Sequence, residues 1–246
     1  MQECFPTELV TQPEIITPGS QLGDRAEYYL QKLARRGATV AVGLSSDVLP
    51  MVQTIASEPK VAEYCPGDAG DIRGNNGRFD TIDHAQRWVK KGRGFVGIYS
   101  ADDELLAYGW SGREQNRILP DAGVTTAYRV GSSGSRLARI MRSEGCEVDF
   151  SMGIALGELI IATAVQLHGV RPGEISLETW ESNQPARALY DRLGFGLRKV
   201  MRPELRPTLD LSLHPDGKIV DRRCHYQLVK HPLIEQDNLI QSETAK

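Results

Sequence analysis

Apolar and polar positions change period repeatedly along this chain, and the changes mark out its elements. Residues 24–36 read as a helix closed by Gly37, and residues 38–44 as an apolar, β-rich first strand. Asp47 stands where it would cap a helix running to Ile55. Residues 81–91 put Ile82, Ala85, Trp88 and Val89 on one helical face, and Gly92 ends it. Strands over 94–100 and 105–111 form a hairpin across Asp102-Asp103. Two more strands are expected at 124–130 and 136–142, with Gly131-Ser132-Ser133-Gly134 as the turn between them. The most apolar run, 154–167, follows a small-residue turn, Ser151-Met152-Gly153-Ile154-Ala155, and precedes a strand over 175–180. Beyond it come a second helix, a strand over 196–201, an irregular link over 202–207, and a hairpin of 209–213 with 218–229.

The stretch 148–195 carries most of the chemistry. Gly153 and Ala155 keep bulky side chains away from the first backbone N–H groups of the helix that follows. Those amides have no partner inside the helix, and the helix dipole adds partial positive charge there, so the turn is a site for an anion such as a pyrophosphate. In the closing segment, Asn183 is placed to cap a helix whose first turn holds Pro185, where a missing N–H costs nothing. Gly194 is placed to end that helix in the left-handed conformation. Asn183 and Tyr190 are about two turns apart and share one face.

Asn183, Ala186, Leu189, Tyr190, Gly194 and Phe195 match every fixed position of the second signature of the GNAT superfamily of acyl-CoA-dependent N-acetyltransferases, which this segment resembles. The family's first signature is met in part: Gly153 and Ala155 fit, while Phe150 stands where Arg or Gln is usual. The order of the two segments is also that of the family. The resemblance implies an α/β fold with a GNAT-like mixed, largely antiparallel sheet flanked by helices. It places a GNAT-like acyltransferase domain at 38–230, behind an amino-terminal arm and helix over 1–37 and before a tail over 231–246. It implies transfer of an acetyl group from acetyl-CoA, as co-substrate, to a primary amine on a small molecule or peptide. Ser151, Met152, Gly153, Ile154 and Ala155 would bind the pyrophosphate. Strand backbone at Ile140, Met141 and Arg142 would align the pantetheine, a rival alignment giving that strand to 125–130. Asn183 would lie by the CoA arm, and Tyr190 would protonate or hydrogen-bond the sulfur. A non-catalytic acyl-CoA-binding sensor or interaction module with the same fold is the alternative.

Composition removes other classes. The chain has 246 residues, 40% of them hydrophobic and 25% charged, which suits a globular protein with a sizeable core. A net charge of −3 gives no pull toward nucleic acid or an anionic membrane. No apolar run has the length of a bilayer span, and residues 1–16 lack the pattern of a signal peptide. Cys4, Cys65, Cys146 and Cys224 are far apart without a C-x-x-C pair, so free thiols and a cytoplasmic location are expected.

The remaining candidates are weaker. The histidines at 84, 168, 214, 225 and 231 show no metal-ligand spacing, and surface or loop roles are expected for them. Nucleotide motifs are absent, and Ser135 breaks the G-x-S-x-G pattern around Ser133. Glu178 and Trp180 fall on one face of their strand, where they would line a substrate cleft or simply pack. Glu178, Glu114 and Tyr128 are open as general base, alongside a water chain. The glycine-rich stretch 65–79, with Asp68 and Asp71, reads as a long loop, and the resemblance implies that it borders the acceptor site.

Overall fold

The computed structural model describes residues 13–19, 22–57, 64, 81, 83–85, 94–115, 126–133, 151–208 and 210–232. In chain order these form β1 (Glu14–Ile16), α1 (Asp24–Ala34), β2 (Thr39–Val42), α2 (Leu49–Ala56), β3 (Gly94–Tyr99), β4 (Leu105–Gln115) and β5 (Thr126–Ser133). They continue with α3 (Ser151–His168), a 3₁₀ turn at Pro172–Glu174, β6 (Ile175–Trp180), α4 (Gln184–Leu193), β7 (Phe195–Pro207) and β8 (Lys218–Leu228). The strands make one sheet in the order β1-β2-β3-β4-β5-β6-β8-β7. Its neighbours pair antiparallel except β5 and β6, which are parallel. The sheet is therefore mixed and largely antiparallel, with helices on both faces.

Strand alternation divides the core. Val40, Val96, Ile98 and Ala107 face α1 and α3, packing on Leu30, Leu33, Leu156 and Leu159. Ala41, Phe95, Tyr99 and Tyr108 face the other way, onto Val52 and Ile55 of α2. At the far end of the sheet, α4 joins α3 over Ile175 and Leu177 of β6 and Cys224, Tyr226 and Leu228 of β8. Glu158 interrupts the apolar run of α3 and is 1% exposed. Its carboxylate meets Arg25 of α1 at 2.5 Å and His231 beyond β8 at 2.9 Å, so the buried charge is paired and links three distant segments.

Several sequence expectations change here. Residues 14–16, read as part of a loose arm, add an edge strand to β2. Asp47 does not cap α2: the N-cap is Val48, and Asp47 instead accepts a hydrogen bond from the Ser46 hydroxyl. Gly131, Ser132 and Ser133 are not a turn but continue β5, opposite Trp110, Gly109 and Tyr108 of β4. The ladder that eleven-residue β4 offers outweighs local turn preference. The link expected over 202–207 is strand, and β7, not residues 209–213, is the hairpin partner of β8. Register shifts between Leu197 and Lys199 and between Val200 and Pro203 absorb the irregular residues. Pro203 is tolerated because β7 is an edge strand, where a missing N–H leaves no neighbour unpaired. The stretch 65–79, the strand over 136–142 and most of the helix over 81–91 lie outside the described residues.

Candidate active site

The parallel pair β5/β6 holds only two residue pairs, Tyr128 with Ile175 and Arg129 with Ser176. Beyond them β5 runs on to Ser133 and β6 to Trp180 with no further register between the two. The sheet thus opens at the carboxyl ends of two parallel strands, the place where α/β sheets bind ligands. Each helix following one of these strands begins on that side: α3 after β5, and α4 after β6.

The first turn of α3 differs in form from the sequence reading. Ser151, Met152, Gly153, Ile154 and Ala155 are already helical, so the unpaired amides here are the helix's own leading N–H groups rather than a preceding loop's. Among the described residues no acidic side chain lies in that first turn to offset the dipole's positive end. Helix packing accounts for one glycine that sequence reasoning passed over. A methyl at Gly157 would run into Leu193 of α4, whereas one at Gly153 would meet Leu189 only at 3.4 Å, an ordinary contact. Close packing of α3 on α4 therefore favours glycine at 157, where Leu193 would otherwise have to shift, and gives no such reason at 153.

In α4 the local chemistry is as read from the sequence. Asn183 is the N-cap: its side-chain oxygen accepts from the Ala186 amide at 3.4 Å, and its amide nitrogen donates to Thr179 at 3.2 Å. Pro185 sits in the first turn, and Gly194 closes the helix at φ 89°. Tyr190 is 9% exposed and packs edge-on against Phe195 and Tyr226, with ring centroids 6.1 and 5.8 Å away. It lies on the α3/α4 side of β6, in the cluster that contains Ile175 and Leu177. Ile140, Met141 and Arg142 lie outside the described residues.

The opposite face of β6 and β8 is polar. Glu178 pairs in register with His225, and Trp180 with Arg223. Trp180 has two guanidiniums against its ring, Arg223 at 4.9 Å and Arg206 at 5.5 Å from the centroid, and Arg206 also covers Tyr64 at 4.9 Å. Arg206, 3% exposed, donates to Asp221 at 2.7 Å and to Ser182 at 2.7 Å, so its buried charge is paired. These bonds fix Trp180 two residues before the Ser182–Asn183 start of α4. His225 and His231, expected on the surface or in loops, are instead largely buried, because pairing with β6 and docking on Glu158 decide their places.

Asp221 yields a pH prediction. Burial pushes its carboxyl up, but hydrogen bonds from Ser182, Arg206 and the Arg222 amide outweigh this and hold it below the usual carboxylate range. A carboxylate depressed on folding adds stability that is complete above its unfolded pKa of about 4 and is lost as pH falls through the folded value. Asp221→Asn should therefore reduce the melting temperature at neutral pH and flatten its decline below pH about 4. An unchanged acid slope in thermal melts would exclude Asp221 as a source of acid sensitivity.

No protein-family model matches the chain, and no curated protein matches it. Solved structures match its fold. A spermidine N-acetyltransferase from Vibrio cholerae in complex with CoA and spermine aligns at TM-score 0.53 and 14% identity, covering 78% of this chain and 95% of that one. A GNAT superfamily phosphinothricin acetyltransferase from Sinorhizobium meliloti in complex with acetyl-CoA aligns at TM-score 0.52 and 13% identity, covering 80% and 91%. The chain has the GNAT fold. Within that GNAT fold, β5 is the fourth strand counted from β2, and it is the strand paired with β6. Strand β1 and helix α1 precede β2, and α1 packs into the same core as α3.

Proposed function

We propose that this protein is an acyl-CoA-dependent N-acetyltransferase that moves an acetyl group from acetyl-CoA to a primary amine. The observation that carries the reading is the opening between β5 and β6 after two residue pairs, flanked by the starts of α3 and α4. In this reading the amides of Ser151, Met152, Gly153 and Ile154, with small Ala155 beside them, hold the pyrophosphate. Gly153 supports it, since helix packing gives no reason for a glycine there and a close backbone approach does. Backbone of β5 beyond Arg129 lines the pantetheine arm, taking the place first given to Ile140, Met141 and Arg142. Asn183 shapes the other wall through its cap, and Tyr190 delivers a proton toward the sulfur. Bound acetyl-CoA supplies the activated thioester; the chain orients it, excludes water and handles the protons. The acceptor is a small-molecule or peptide amine, as it is for the spermidine enzyme of the same fold.

Acetyl-CoA at a hundredfold excess over its Kd should stabilise the fold by about 2.7 kcal/mol. For a chain of this size that is a melting shift of several degrees, at about 2–4 °C per kcal/mol. Thermal melts with acetyl-CoA, CoA and ATP test it, together with thiol release over a panel of primary amines. The absence of both a shift and calorimetric heat at millimolar acetyl-CoA would rule out the reading. Binding without turnover on any amine would leave only an acyl-CoA-binding module.

A further inference from the structure

We infer that His225 accepts the proton of the attacking amine, with Glu178 as the carboxylate that orients the imidazole and balances its charge. This rests on the acetyl-transfer reading above. The register of β6 and β8 sets the two residues opposite each other. Their neighbours Leu177, Cys224 and Tyr226 pack under α3 and α4, so Glu178 and His225 project from the other face. His225 Nδ1 lies 3.7 Å from Glu178 Oε1, and each side chain is 12% exposed. Nδ1 is buried with no hydrogen-bond partner among the described residues, so the ring's remaining exposure lies away from it. A buried ring nitrogen held just short of a carboxylate is costly in a merely structural histidine. It fits a base whose hydrogen bond tightens when substrate arrives.

The surroundings agree with this assignment. Arg223 is 4.0 Å from Glu178 Oε2 and 2.6 Å from Glu204, leaving Oε1 as the oxygen turned to the imidazole. From the described residues the charged groups on this face are Glu178 of β6, Asp221 and Arg223 of β8, and Lys199, Glu204 and Arg206 of β7, with Lys199 opposite His225 in register and Arg206 paired with Asp221. Arg223 thus takes up the second oxygen of Glu178, and the imidazole is the member of the pair assigned the amine's proton. With the Nδ1 proton directed at Glu178, the other ring nitrogen, Nε2, carries the lone pair. Glu178 is two residues past the last β5/β6 pair, on the strand that borders the opening. Tyr190 is on the opposite face of that strand, so proton acceptor and proton donor flank the opening from two sides.

The step balances. The amine lone pair forms the C–N bond to the acetyl carbon, and the C–S bond breaks with its electrons going to sulfur. One amine proton passes to His225 Nε2, and the sulfur receives the Tyr190 phenol proton. Solvent then carries a proton from the imidazolium back to the phenolate.

The test uses the full chain and its His225→Gln and Glu178→Gln variants, with acetyl-CoA and a panel comprising a polyamine, an α-amino acid, an arylalkylamine and a peptide with a free amino terminus. His225→Gln should lower kcat/KM for the amine by about 10²-fold or more at neutral pH. Its calorimetric affinity for acetyl-CoA should not change. The deficit should shrink as pH falls, because a protonated imidazole accepts no proton from the amine. Glu178→Gln should lose less and shift the acid limb of the pH profile. A His225→Gln enzyme with wild-type kcat/KM, or with one constant deficit at every pH, would overturn the inference. If His225→Gln does not fold, Glu178→Gln decides, and an unaltered pH profile in that variant would overturn it. A wild type that neither binds acetyl-CoA nor acetylates any amine would instead remove the transfer reading itself.

Discussion

Replacing Tyr190 by Phe should lower kcat for acetyl transfer by roughly 10²- to 10⁴-fold, the range of a positioned general acid. The sulfur acquires negative charge only as the C–S bond breaks, so a phenol aimed at it stabilises the transition state without tightening ground-state binding. KM for acetyl-CoA should therefore hardly move. The ring contacts with Phe195 and Tyr226 need no hydroxyl and survive the substitution, so the melting temperature should stay close to wild type. Stopped-flow and steady-state thiol release, run beside thermal melts, separate the outcomes. Near-normal kcat would make Tyr190 a packing residue, with sulfur protonated from water. A large loss of stability would mean that its hydroxyl holds a buried partner.

Gly194→Ala should do the reverse, costing stability first. Gly194 ends α4 at φ 89°, and a methyl there would collide with the backbone carbonyl of Lys230. That carbonyl cannot swing aside easily, because the Val229 and Lys230 amides both donate to the Gly194 oxygen at 3.0 Å. Left-handed backbone costs a non-glycine residue about 1–2 kcal/mol. Overpacking adds about 1–3 kcal/mol. The sum, about 2–5 kcal/mol, lowers the melting temperature by roughly 4–20 °C in a chain of this size. Gly217→Ala is the internal control: its φ is 65°, but the nearest atom to an added methyl is a Leu211 carbon at 3.7 Å. It should show the conformational part alone, about 1–2 kcal/mol. Equal losses at the two positions would show that the Lys230 contact contributes nothing.

Tyr190 and Gly194 differ in how the sequence reveals them. Both belong to the segment that resembles the second GNAT signature, yet Gly194 also follows from helix chemistry alone. A left-handed cap needs glycine within one residue of the helix end, and that requirement is met inside a few neighbouring residues. The same locality makes the Asn183 cap, Pro185 and the strand Ile175–Trp180 legible without any tertiary information. Tyr190 is different: helix periodicity gives its face, but only the docking of α4 on β6 and β8 decides what surrounds it.

By itself, then, the sequence determined the α/β class, the order of helix and strand through 151–195, and the caps that begin and end α4. These rest on interactions between residues a few positions apart, which residue type and spacing encode directly. Only the tertiary structure decided that Gly131–Ser133 and Pro203 lie in strands, that Glu158 is buried between Arg25 and His231, and that His225 faces Glu178. Each of these depends on which strand lies beside which and in what register. A shift of one residue would turn Glu178 and His225 to opposite faces of the sheet. Register is fixed by the summed burial of both faces and the demand that every ladder be completed, and no short stretch of sequence contains that sum.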